Sequence, residues 1–536
     1  MIYKVLSILG YLGVVFFLGY KGYKHTKSSQ DYLLAGREMN AFVMALSYGA
    51  TFISTSAIIG FGGAAALFGF PLLWLTFLNI VVGILVAMVF FGRRTRVMGL
   101  ALDAHTFPEF LGRRFNSTFI QKFSALIIFL FIPLYAAAVL IGICRMLEVS
   151  FAQSLGISYE MWLVLVTVLV ALYVITGGLK AVMYTDAFQG CIMAGMMIFL
   201  IVFTYSKLGG VISAHQTLTD MVHLVPAKLK AGGLIGWTQG AKFGTPIWLV
   251  IYTTIIYGVG IGVLAQPQLA LRYMTVPSDR ELHRAVLVGG VFILLMTGVA
   301  FTVGALSNAV FYKEFGQISI AMAKGNIDKI IPLYIEKIMP HWFSGLFLIA
   351  MFAAAMSTLS SQYHVGGTSL GRDIVEGSTL STKTSFKTSQ IGVFLTVAAA
   401  LLWAWILPGS VIARATAFFF GLCAASFLPS YFLGLYWKRM TPLGAKCSLV
   451  GGFIFSMFWL LFIHLKEAKA IGLCKLFFGK VTLVAGATKG SWIWLLQWVD
   501  PNVVALPVSF LLAIGVSLFS VPDKSVVDKA FKYFTS

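Results

Sequence analysis

The chain has 536 residues, of which 59% are hydrophobic and 11% charged, with a net charge of +20 and a mean hydropathy of +0.90. A soluble domain carries about 25% charged residues, so this composition excludes one and describes an integral membrane protein. The excess basic residues form no stripe interleaved with stacking aromatics, which excludes a nucleic-acid reader. They cluster between apolar segments, as in a multispanning protein.

A membrane helix needs roughly 20 mostly apolar residues. By that rule the sequence predicts about thirteen spans. TM0 covers 2–20, TM1 40–68, TM2 71–91, TM3 119–148, TM4 159–176, TM5 182–207 and TM6 246–272. TM7 covers 283–308, TM8 340–374, TM9 388–407, TM10 409–436, TM11 445–465 and TM12 502–520. "KGYKHTK" follows TM0 with no small-residue cleavage site, so TM0 reads as a retained span.

TM1 reads "ALSYGATFISTSAIIGFGG" and TM6 reads "YGVGIGVLAQPQLALRYM". Glycine weakens a helix and proline removes a backbone donor. In lipid, loosened backbone is tolerated only where it is buried or lines a cavity. The two interrupted spans each open a five-span block, the signature of an inverted-repeat transporter with its site near the midplane. Residues 1–536 thus read as a single membrane domain. It has an extra helix at 2–20, five-helix repeats at 40–207 and 246–436, two further helices within 437–520 and a short tail at 521–536.

Arg37, Arg93, Arg94, Arg96, Arg113, Arg114, Arg272, Arg280, Arg284, Arg372 and Arg439 fall in alternate loops, which the positive-inside rule makes cytoplasmic. The N-terminus is then outside and the C-terminus cytoplasmic. Arg145 and Arg414 fall toward the other face. "WIWLLQW", between TM11 and TM12, is expected in the interface, where Trp is favoured. The five cysteines show neither disulfide nor metal-ligand spacing.

TM8 carries "FAAAMSTLSSQYHVGG", Phe352 to Gly367, with four hydroxyls in two turns. They could satisfy one another at a tight helix contact. They could also be oxygen ligands for a hard monovalent cation such as sodium, completed by carbonyls freed in TM1. Asp186, read as the start of TM5, could cap that helix or relay a departing ion. His364 reads as a packed, hydrogen-bonded residue.

"AAAMSTLSS" resembles the sodium-site segment of the sodium:solute symporter family, the family of bacterial proline, pantothenate and sugar symporters. "DYLLAGREM", "YVITGGLKAVMYTDAFQ", "AQPQLALRYMTVPSDRELHRA" and "FGLCAASFLPSYFLGLYWKRMTPLGA" resemble further family segments in the same order. The resemblance implies an all-α, leucine-transporter-type core of 5+5 inverted repeats with broken TM1 and TM6. It implies a sodium site made by the carbonyls of Ala50, Ile53 and Ala354 with the hydroxyls of Ser357 and Thr358. It also supports Asp186 as a sodium-release residue.

Substrate candidates between the two breaks are Ser54, Thr55, Ser56, Trp74, Tyr135, Gln266, Gln268 and Phe419. Sugar-transporting relatives carry glutamine where this chain has Ala57, which disfavours a sugar. Proline-transporting relatives carry an acid where this chain has Phe52 and aromatics where it has Val259 and Val263. A small amino acid or carboxylate fits, because a half-helix N-terminus can hold a carboxylate. Arg414 could supply a counter-charge or snorkel outward.

The sequence therefore predicts a sodium-coupled symporter of a small organic solute in the cell membrane, with Na+ as coupling ion, the lipid bilayer as surroundings, no organic cofactor, no enzyme activity and no obligatory protein partner. A proton-coupled transporter is the first alternative. A solute sensor is the second, although the tail after TM12 is too short for a signalling domain.

Overall fold

The computed structural model describes residues 2–25, 29–151, 156–376 and 382–534. Among them ten helices are long and apolar enough to cross a membrane, and two bent helix pairs bring the number to twelve. TM4 is present as a shorter apolar helix, Tyr159–Leu172. Helical backbone continues from Tyr159 to Lys207, so the turn expected between TM4 and TM5 is itself helical. The side chains of residues 175–178 lie outside the described residues. The described residues are all-α apart from a small hairpin in the TM5–TM6 connection, Leu234–Gly236 with Gly240–Ala241.

TM8, His341–Val375, is the centre of the bundle: 89% of its apolar window is buried, against 17% for TM0. TM0 docks against TM5 and TM8: Gln189 Nε2 of TM5 donates to Tyr11 Oη at 2.8 Å, and Tyr11 Oη lies 3.9 Å from Met356 Sδ of TM8. Lys180 in the "YVITGGLKAVMYTDAFQ" segment reaches Asp31 of "DYLLAGREM" at 3.5 Å. TM10, Ile412–Tyr436, is satisfied at both ends by side chains from distant connections. Asp328 Oδ2 accepts from Val411 N at 3.0 Å. At the other end Arg114 Nε donates to Gly434 O at 2.7 Å and Arg94 Nη1 to Leu435 O at 2.8 Å. An acid at a helix N-terminus and cations at its C-terminus suit both the orphan groups and the macrodipole.

Two loop assignments need correction. Arg114 and Arg272 are each 1% exposed, so neither lies on a membrane surface as a loop cation. Arg114 is drawn inward by TM10's last carbonyls, and Arg272 by a buried carboxylate. The helix Trp492–Trp498 meets TM12, Asn502–Leu518, at 92°. That is the angle a helix lying along the bilayer plane would make with an upright span.

The short helix Phe107–Arg114 ties the TM2–TM3 connection to the end of TM8. Its Thr106 side chain accepts from Glu109 N at the N-cap. Glu109, 1% exposed, pairs with Arg113 at 2.6 Å and with Arg372 of TM8 at 3.3 Å. Burial alone would raise the Glu109 carboxyl, but hydrogen bonds from His105 and the charges of Arg372 and Arg113 bring it down to about 2. A depressed carboxyl stabilises the fold above its unfolded pKa, and that stability is lost as pH falls through the folded value. Glu109→Gln should therefore lower stability by roughly 3 kcal/mol, as for breaking a buried pair. Thermal unfolding in detergent should show the same gap between variant and parent at pH 7 and pH 5.5, narrowing only below about 4.5.

Candidate functional site: a broken helix against TM8

TM1 begins at Ala41 with Asn40 as its cap, the side chain accepting from Val43 N at 2.9 Å. Its first half ends at Phe52; Ile53 takes φ −92° and ψ 100°. The helix resumes at Ser56 and runs to Phe68 after a bend of 54°. Locally, Ser54 Oγ accepts from Ser56 N at 3.1 Å, the kind of side-chain competition by which serine leaves a helix. The second half is held tightly: a Cβ on Gly63 would lie 2.2 Å from Ile327 O. TM6 breaks correspondingly. Gln266 is extended, with φ −72° and ψ 118°, and Pro267 opens the next helix, Pro267–Tyr273.

The break frees carbonyls in the last turn of TM1's first half, and TM8 answers them. Ser357 Oγ donates to Ala50 O at 2.9 Å. Thr358 Oγ1 donates to Ala50 O at 3.3 Å and to Thr51 O at 3.1 Å. Ser357 Oγ also lies 3.3 Å from Ala354 O. Ile53 forms the break itself and is 1% exposed. Four of the five predicted ligand residues, Ala50, Ala354, Ser357 and Thr358, thus meet at one buried junction of neutral oxygens. Hydroxyl protons rotate to suit their partners, so the same oxygens can turn lone pairs toward a hard cation.

One turn along TM8 the chemistry changes. Asp186 is inside a helix and caps nothing. Its Oδ2 accepts from Ser47 Oγ at 2.7 Å, from Thr51 Oγ1 at 3.4 Å and from Arg272 Nη2 at 2.9 Å. Arg272 also donates through Nε to Ser47 Oγ at 3.0 Å and through Nη1 to Gln268 O at 2.7 Å. Its Nη2 reaches Thr51 Oγ1 at 2.5 Å and Ser361 Oγ at 2.7 Å. Thr51 Oγ1 and Ser361 Oγ are 3.0 Å apart. Asp186 Oδ1 is buried without a hydrogen-bond partner. Sequence reasoning missed this ion pair because it placed Arg272 in a loop.

Beside the TM1 break lies a small cavity of about 20 Å³. Ser54 and Tyr135 line it, with Phe52, Asn79, Thr297, Thr416 and Phe420 among the others. Thr297 and Thr416 bond their own helix carbonyls, whereas Asn79 Oδ1 is buried with no partner. Asn79 was missed, although a lone amide inside an apolar span is a functional signal by default.

The other substrate candidates stand outside the cavity wall. Thr55 Oγ1 donates to Val139 O at 2.6 Å, a packing contact with TM3. Ser56 Oγ is buried without a partner. Gln268 Nε2 donates to Gln266 Oε1 at 3.0 Å. Phe419 stacks on Tyr135 with centroids 5.8 Å apart, and its neighbour Phe420 faces the cavity instead. Trp74 is corrected: it is 57% exposed on the outer surface, because TM2 turns Leu75, Thr76 and Asn79 inward.

The model of the sodium:solute symporter family matches residues 32–452. The sodium/pantothenate symporter of Haemophilus influenzae is 28% identical over 84% of this chain and 88% of its own length. The osmoregulated proline transporter OpuE of Bacillus subtilis is 27% identical over 90% of this chain and 93% of its own. Among solved structures, a Na+-coupled sialic acid symporter in a substrate-bound outward-open state superposes with a TM-score of 0.72 at 20% identity. It covers 97% of this chain and 98% of its own. The chain belongs to the sodium:solute symporter family and is a multi-pass, sodium-coupled solute transporter, not an enzyme.

Proposed function

We propose that this protein imports a small organic carboxylate, amino acids included, with sodium held by Ala50, Ile53, Ala354, Ser357 and Thr358. The observation that carries the ion assignment is the pair of TM8 hydroxyls on TM1's freed carbonyls. Proline, pantothenate and sialic acid, named for the relatives, all bear a carboxylate, which supports the solute class. The arginine-bearing alternate loops support a cytoplasmic C-terminus and an outward-facing Trp492–Trp498 helix.

In this reading sodium ties TM8 to the first half of TM1 and favours the outward-open state. Solute binds between Ser54, Asn79 and Tyr135. The departing ion passes from Ser357 to the hydroxyls of Thr51 and Ser361 and then to Asp186, whose free Oδ1 offers an unused ligand. Arg272 takes the carboxylate back once the ion has gone.

Uptake into proteoliposomes tests the ion site. Ser357→Ala and Thr358→Ala should each raise the half-saturating sodium concentration at least tenfold, about 1.4 kcal/mol of lost binding. Uptake driven by an imposed pH gradient without sodium, unchanged in both variants, would replace sodium with protons. Asn79→Ala should raise the solute KM about tenfold, the order of one lost buried hydrogen bond, and leave the sodium dependence unmoved. For the ion pair, Asp186→Asn and Arg272→Gln should each cost roughly 3–5 kcal/mol, and the double variant less than their sum. Thermal unfolding of the four proteins reads that coupling.

A further inference from the structure

TM12 ends at Leu518, and Phe519, 93% exposed, begins a short connection to the helix Lys524–Phe531. This tail helix lies on the face of the arginine-rich connections. Asp523 caps it, the side chain accepting from Ser525 N and Val526 N. Val527, Ala530 and Phe531 are buried, while Lys524, Lys529 and Lys532 are exposed, so the helix docks by one apolar side.

Its aromatic residues land on the two arginines that hold TM10's last carbonyls. Arg114 Cζ lies 5.2 Å from the ring centroid of Phe531. Arg94 Cζ lies 4.8 Å from that of Phe534 and 4.2 Å from that of Tyr436 in TM10. These contacts are individually weak where water reaches them. The hydrogen bond that ties the cap to the bundle, Asn116 Nδ2 to Asp523 Oδ2, is long at 3.4 Å. Arg114 is 1% exposed, and burial lowers its guanidinium to about 10. A buried cation is costly unless paired, so rehydrating Arg114 offsets part of the apolar burial that release of the tail gives up.

The two arginines belong to segments with different attachments. Arg94 is on the helix Arg93–Ala101, which extends TM2. There Arg96 pairs with Asp279 at the start of TM7 at 2.6 Å, and a Cβ on Gly99 would lie 2.6 Å from Met274 Sδ at the end of TM6. The same region holds the start of TM1: Glu281 Oε2 accepts from Ala41 N at 2.7 Å, and Met39 N donates to Thr275 O at 3.1 Å. TM2's extension therefore moves with the second half of TM6, the start of TM7 and the first half of TM1. Arg114 instead ends the helix Phe107–Arg114, which Glu109 and Arg372 fix to TM8. The bond from Arg94 to Leu435 O crosses the boundary between these groups, and the tail lies over it with one ring on each side.

We infer that residues 523–534 form a strap that restrains the group bearing TM1 from moving away from TM10 and the TM2–TM3 connection on this face. Docked, Phe531 and Phe534 keep Arg114 and Arg94 on TM10's last carbonyls. Released, they leave the crossing bond open to water, and the two groups part more readily. The strap therefore sets how often the transporter opens on this face, whichever ion or solute it carries.

Hydrogen–deuterium exchange of the purified full-length protein tests this, with residues 433–436 reporting on TM10's end and residues 41–52 on the first half of TM1. Phe531→Ala with Phe534→Ala should speed exchange in both segments about threefold, the order of a weak cation–aromatic contact. Phe534→Tyr keeps a ring and should match the parent. Exchange in residues 195–207 of TM5 should not change, as it would if the alanine variant were only less stable. The converse arm fixes the strap in place. Lys438 Nζ lies 5.7 Å from the Phe531 ring, so Lys438→Cys with Lys532→Cys can be bridged by a bifunctional methanethiosulfonate. Cys191→Ser and Cys447→Ser remove the two native thiols that are not buried. Bridging should slow exchange in both segments about threefold, and reductant should restore it. Unchanged exchange at residues 41–52 after bridging, unchanged exchange at residues 433–436 in the alanine variant, or equal acceleration in TM5 would overturn the proposal.

Discussion

A carbonyl in the membrane interior must find a partner within the protein. TM1 leaves its helix at Ile53, and the carbonyls of Ala50 and Thr51 find theirs in the hydroxyls of Ser357 and Thr358. This requirement explains why TM8 carries serine and threonine in an apolar stretch and why it is the bundle's centre. It would also shape the energetics of ion binding at the proposed site. A cation and a hydroxyl donor satisfy the same carbonyl oxygens, so exchanging one for the other leaves no orphaned acceptor. The difference in free energy between ion-bound and ion-free junctions can then be small, which a reversible carrier requires.

The buried arginine complements that neutral junction. Burying charge is costly unless it is paired and hydrogen-bonded. Arg272 meets both conditions, with one carboxylate, three hydroxyls and a carbonyl as partners. Its partners belong to TM1, TM5, TM6 and TM8, so a single planar guanidinium fixes the relative register of four spans. Because Arg272 offsets the charge of Asp186, the TM1–TM8 junction one turn away is left to neutral oxygens.

The span pattern, the two broken helices and the TM8 hydroxyls were legible because each is local: a run of apolar residues, a glycine or proline in it, or hydroxyls at helical spacing. What was not legible depended on contacts between distant segments. Arg272 sits at the end of an apolar run, where counting charges assigns it to a loop, and its partner Asp186 lies 86 residues away. TM2 is apolar apart from Thr76 and Asn79, which share one face; a single polar pair in so apolar a run was too weak a stripe to mark Trp74 as facing outward. Phe419 and Phe420 are chemically identical neighbours about 100° apart around one helix. Only packing decides that the second faces the cavity while the first backs Tyr135.

The size of the central cavity carries the last step. About 20 Å³ is room for one water, not for an organic solute. Phe52 and Phe420 face each other across it with ring centroids 6.3 Å apart. One ring belongs to the first half of TM1 and the other to TM10, so solute entry must part these two elements or turn their side chains. TM10 is anchored at both ends by Asp328, Arg94 and Arg114, whereas TM1 is interrupted one residue beyond Phe52. The compliant partner is therefore TM1, the same segment whose carbonyls the ion would hold. On the proposed reading solute and sodium would act on one hinge, and their binding would be coupled through it without direct contact between them.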